Sequence, residues 1–118
     1  MRLPLGLAGA MGAAGVILAA VAAHGAHPAG LDSASQMLLF HALAVLAATA
    51  LLQTDRLWRP AALVAIWCWL LGTFLFSGDI ALRAFSGHRL FPMAAPMGGS
   101  LMIVAWLSFA LASVVHRR

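Results

Sequence analysis

Apolar residues fall into four long runs: Leu3–Ala23, Ala34–Gln53, Ala61–Leu82 and about Ala95–Val115. Each has the roughly twenty residues that a helix needs to cross a bilayer core of about 30 Å. The connections between them, HGAHPAGLDS, TDRLWRP and RAFSGHRLFPMA, hold most of the charges together with Pro and Gly, the usual punctuation between helices. None of the runs alternates with period two, so strands are excluded. The pattern predicts an all-α membrane protein, a four-transmembrane-helix bundle forming one domain over residues 1–118.

Composition agrees with the pattern. The chain is 64% hydrophobic and 8% charged, against about 25% charged residues in a soluble domain. So few charges cannot solvate a soluble surface, and the lipid bilayer is the first partner the sequence implies. The net charge of +4 comes from arginines at segment ends, with no lysine. No basic stripe forms, so nucleic acid is not an expected partner. If all four runs span, Arg2, Arg56, Arg59, Arg117 and Arg118 lie on one side, and Arg83 and Arg89 lie on the other with Asp32 and Asp79. The positive-inside rule then predicts cytoplasmic termini. The first run has some features of a secretory signal, but it is longer than the usual 7–15-residue apolar core of one and is read as a span.

Glycine recurs in that first run at Gly6, Gly9, Gly12 and Gly15. Steps of three along a helix drift by only about 60° each, so these residues form a strip that would let a neighbouring backbone approach. The first span is therefore expected at the close-packed centre of the bundle. Gly78, Gly98 and Gly99 are further expected close contacts, and Pro96 suits the first turn of the last helix, where its missing N–H costs nothing.

Polar residues inside the runs concentrate toward the side opposite the termini. Gln36 and His41 lie in the outer half of the second span, Asp79 and Arg83 at the outer end of the third, and Ser100 just inside the fourth. Asp79 and Arg83 are spaced i, i+4 on one helical face, which suits a boundary ion pair. A cluster of Asp79, Arg83 and His41 lining an outward-facing cavity is the functional alternative, since ionisable residues in a membrane often mark function. His41 shares a face with Ala44 and Ala48 and should meet another helix, with Gln36, Ser77 or Ser100 as hydrogen-bond partners. The pair His24 and His27 falls short of the three or four convergent ligands that a metal needs, and Cys68 reads as a small hydrophobe. No metal, no cofactor and no catalytic residues are expected, and no nucleophile has an evident paired base.

Three stretches together, SQMLLFHALAVLAATAL, FLFSGDIALRAFSG and FPMAAPMGGSLMIVAWL, resemble the small bacterial membrane proteins of the domain-of-unknown-function 423 family, a group that includes the mitochondrial transmembrane protein 256. The matching elements are Ala23–Gly25, Gln36, His41–Leu43, Phe76–Gly78 and Pro96–Gly99. Where many relatives carry Ser and Tyr after Phe-Ser-Gly, this chain has Asp79 and Ile80, which marks the Asp79–Arg83 pair as a subgroup feature. The resemblance implies a four-helix inner-membrane protein and no established activity. The expected role is structural, as an accessory component of a membrane assembly, and the expected partners beyond lipid are a larger membrane complex or further copies of this chain. The alternative is a protein that binds or transports a small ligand, ion or lipid headgroup through an outward-facing polar vestibule.

Overall fold

The structure, a computed structural model, describes residues 1–25 and 30–115. His27, Arg117 and Arg118, used in the sequence reading, lie outside the described residues. Among the described residues four helices follow in order: α1 (Arg2–Ala23), α2 (Leu31–Leu52), α3 (Arg59–Ser86) and α4 (Ala94–Val114). All four are long and apolar enough to cross a membrane.

Their ends have local causes. Helix α2 begins three residues before the apolar run does, because Gly30 adopts a φ of 111° that few other residues tolerate. Asp32 then places a negative charge in the first turn, where the helix dipole favours one. Helix α3 runs four residues past Leu82 and stops at Gly87, whose φ is 75° and whose N–H donates to the Arg83 carbonyl, a left-handed C-terminal cap.

Neighbouring helices run antiparallel in a chain of contacts: α1 on α2, α2 on α3, α3 on α4, with α1 reaching α3 in only a few places. At the end holding the second connection, the Trp58 N–H donates to the Ala112 carbonyl at 2.8 Å, tying the start of α3 to the end of α4. The core is narrow and rich in alanine: Ala48, Ala62, Ala65 and Ala105 enclose Val45, Ile66 and Trp69. Small side chains at these positions let the helix axes approach, and dispersion then holds them together.

The first span is not at the centre. Only 17% of the spanning window of α1 is buried, against 50% for α2 and for α3. Of its four glycines only Gly15 meets a neighbour: a Cβ built there would lie 2.8 Å from Leu39 Cγ and 3.2 Å from Leu38 Cβ. A Cβ on Gly6, Gly9 or Gly12 would meet nothing within 4 Å. The reason is angular. At 100° per residue, Gly15, Ala8 and Pro4 share the face toward α2, and the other three glycines turn away from it.

A similar correction applies to α4. Gly98 is buried, and a Cβ there would fall 2.5 Å from the Gly72 carbonyl oxygen and 2.6 Å from the Phe76 nitrogen. Gly99, one residue on, meets nothing within 4 Å. The close α3–α4 crossing is thus Gly72 against Gly98. Gly78 makes only an ordinary contact, 3.7 Å from Leu90 Cδ1, and Pro96 is exposed in the first turn of α4.

Candidate functional site: helix staples and an outer charged cavity

Side-chain hydrogen bonds join the helices pair by pair. Ser35 Oγ on α2 donates to the Gly15 carbonyl of α1 at 3.0 Å. Ser77 Oγ on α3 donates to the Ala34 carbonyl of α2 at 2.9 Å. Thr73 Oγ1 on α3 points its hydroxyl at Met102 Sδ of α4 at 3.6 Å. All three hydroxyls are buried. Within a bilayer such bonds contribute about 0.6 kcal/mol each; their larger effect is to fix register.

The fourth staple is His41, and its surroundings differ from those the sequence suggested. It is buried on α2, with Nδ1 2.7 Å from the Met37 carbonyl of its own helix. The Trp106 indole N–H of α4 donates to Nε2 at 3.2 Å. A carbonyl can only accept, so Nδ1 must carry the proton, and an indole N–H can only donate, so Nε2 must offer its lone pair. The two bonds therefore specify the neutral ring with its proton on Nδ1. Trp106 lies edge-on to Trp69 of α3 with ring centroids 4.7 Å apart, and Trp69 in turn packs on Phe109 at 5.5 Å. His41 is thus bound into an aromatic stack with no unused nitrogen for a metal or a substrate proton.

Asp79 and Arg83 do meet. Arg83 Nη2 is 3.3 Å from Asp79 Oδ2, with the Asp79 side chain 5% exposed and the Arg83 side chain 40% exposed. A further bond ties Asp79 to the third connection: the Leu90 N–H donates to Oδ1 at 3.0 Å. Counting twenty residues from Arg59 reaches Gly78, so a bilayer core crossed from that end leaves Asp79–Ser86 at headgroup level. There a guanidinium can reach water while the carboxylate stays paired.

These two residues line a cavity of about 420 Å³ at the end of the bundle opposite the termini, called its outer end. The third polar residue in it is Arg89, and its apolar walls include Phe76, Met93 and Pro96. His41 is not part of it. Ser77, two residues before Asp79, bonds Ala34, and His41 lies seven residues further along α2, about 10 Å deeper. Gln36 is exposed, and the interhelical bond near its level is made by Ser35 instead. Ser100 is also exposed and bonds the Pro96 carbonyl of its own helix at 2.9 Å. Among the described residues, no three His, Cys, Asp or Glu side chains converge on a common point as a metal cage would require.

Residues 18–99 match the family described as "Protein of unknown function (DUF423)", which is more than half of the chain. The chain belongs to the DUF423 family. The matched region runs from the second half of α1 to the first turns of α4, and so contains the staples Ser35, His41 and Ser77 together with the outer cavity. A relative from Haemophilus influenzae, described as a "UPF0382 membrane protein", is 32% identical over 106 residues, covering 83% of this chain and 82% of that protein. No solved structure matches.

Proposed function

We propose that this DUF423 protein is a structural accessory component of a larger membrane assembly, without catalysis of its own, and that the outward face of α1 is its docking surface. One observation carries this reading. Gly9, Ala13, Val16, Ala20 and Ala23 follow one another on a single side of α1, all exposed and all small but Val16, and a Cβ on Gly9 would meet nothing within 4 Å. Gly9 and Ala13 have the small-xxx-small spacing that lets two helices pack backbone to backbone in lipid. The bundle leaves that face uncovered.

The absence of catalysis is supported by how the polar groups are used. His41 has both nitrogens engaged, the buried serines bond main-chain carbonyls, and Asp79 is held by Arg83 and Leu90. We place both termini in the cytoplasm and the protein in the inner membrane, because five of the seven arginines fall on the side of the termini. The second reading, an outward-facing polar vestibule, is favoured by the cavity at Asp79, Arg83 and Arg89. Extraction in a gentle detergent followed by native mass measurement separates the two readings. An accessory subunit travels in a complex well above 12.3 kDa that contains other chains, whereas a vestibule protein travels alone or as copies of itself.

A further inference from the structure

We propose that the outer cavity is a binding site for an anionic phospholipid of the phosphatidylglycerol class, with the phosphate held by Arg83 and Arg89 and an acyl chain laid along α4. The proposal is independent of the docking face on α1.

The charge balance at the cavity sets the headgroup. It is lined by two guanidinium groups and one carboxylate. Asp79 is already committed, to Arg83 on one oxygen and to the Leu90 N–H on the other. One positive charge is left over. Arg89 is exposed and makes no ion pair among the described residues, and Arg83 uses a single Nη on Asp79, which leaves donors for a second anion. A phosphodiester carries one negative charge and offers acceptor oxygens that suit the guanidinium fork. The lining has no unengaged acid to receive an ammonium, so a headgroup carrying only the phosphate charge fits better than a zwitterionic one.

The walls below the charges decide between a lipid and a soluble anion. Phe76, Met93 and Pro96 face the same 420 Å³ space as the arginines, a volume within the range of about 300–1,000 Å³ typical of small-ligand sites. A second groove, of about 340 Å³, shares Met93 and Pro96 with it and continues down α4 past Met97, Leu101 and Val104. The two meet at Met93 and Pro96, so the charged cavity borders an apolar stretch that runs lower along α4. A hydrated free anion would gain nothing from that lower part; a glycerophospholipid fills both.

The test uses the purified full chain in detergent, titrated with phosphatidylglycerol, with phosphatidylethanolamine and with inorganic phosphate, and lipid occupancy is read by native mass spectrometry. Phosphatidylglycerol should bind about tenfold more tightly than phosphatidylethanolamine, because both offer the same phosphate and only the second brings an ammonium beside the leftover positive charge. Arg89→Gln should remove that preference. Gly99→Leu should lower phosphatidylglycerol binding by filling the charged cavity that Gly99 lines, with thermal stability retained because nothing lies within 4 Å of that position. Arg59→Gln, at the opposite end of the bundle, should bind as the parent does. Equal binding of the two lipids by the parent chain would overturn the proposal, as would a preference that survives Arg89→Gln in a folded variant. Displacement of phosphatidylglycerol by inorganic phosphate would show a soluble-anion site and overturn the lipid assignment.

Discussion

Gly98 and Gly99 are adjacent in α4, and replacing each by alanine should move stability in opposite directions. At Gly98 the new methyl would lie 2.5 Å from the Gly72 carbonyl oxygen, 2.6 Å from the Phe76 nitrogen and 3.0 Å from Leu75 Cβ. Two of these atoms are backbone, so the clash is not relieved by a rotamer change; α3 and α4 must separate along the crossing. Overpacking of a tight contact costs about 1–3 kcal/mol, and backbone neighbours put this case at about 3 kcal/mol. Alanine recovers about 1 kcal/mol of helix propensity relative to glycine. The net loss is about 2 kcal/mol, or roughly a thirtyfold fall in the folded-to-unfolded ratio. At Gly99 the methyl meets nothing within 4 Å, so only the propensity gain of up to about 1 kcal/mol remains. Equilibrium unfolding in mixed micelles, followed by helical circular dichroism, should therefore separate the two variants by about 3 kcal/mol. Equal stabilities for Gly98→Ala and Gly99→Ala would refute the Gly72–Gly98 crossing and with it the placement of α4 on α3.

Three further outcomes follow from the staples, the ion pair and the arginine distribution. His41→Leu should cost about 0.6–1.7 kcal/mol by orphaning the Trp106 N–H; the double change with Trp106→Phe should be less than additive in the same unfolding assay, and strict additivity would mean the two rings never bond. Arg83→Ala should destabilise more than Asp79→Asn, because it strands a buried carboxylate, whereas asparagine keeps an acceptor for the Leu90 N–H; a thermal ramp in detergent reads the order, and the reverse order would contradict the burial of Asp79. Reporter fusions after Arg118 and in the first connection at Pro28 should give opposite signals, the first cytoplasmic, and matching signals would remove the four-span topology.

The four helices were legible because spanning length and lipid solvation impose one requirement that no other segment of the chain meets. The Asp79–Arg83 pair was legible for a local reason: an i, i+4 spacing fixes proximity within a helix whatever surrounds it. The direction of the glycine strip was not. In water a polar face marks which side of a helix is exposed, but lipid is as apolar as the core, and so Gly9 and Gly15 look alike in sequence although one is open and the other abuts Leu39. Ser35 and Gln36 illustrate the same difficulty at finer scale. They are one residue and 100° apart, both polar, and only the register of α2 on α1 turns the serine inward. The inward placement of His41 could be read from its small-residue face, but its partner Trp106 is 65 positions away and depends on how α4 sits on α3. Gly72 gave no signal of its own within an apolar run; its role comes from facing Gly98.

If the uncovered face of α1 joins this protein to a membrane assembly, bulky residues on that face should break the assembly, and a native mass comparison reads the loss. The parent chain and a Gly9→Leu/Ala13→Leu variant would be extracted in the same gentle detergent. The parent should travel in a complex that contains other chains. The variant should fall to the 12.3 kDa of the single chain with its helical content and thermal stability unchanged, since the substituted face is exposed and nothing packs on Gly9. A parent chain that travels alone, or a variant that keeps the assembly intact, would exclude docking through this face of α1.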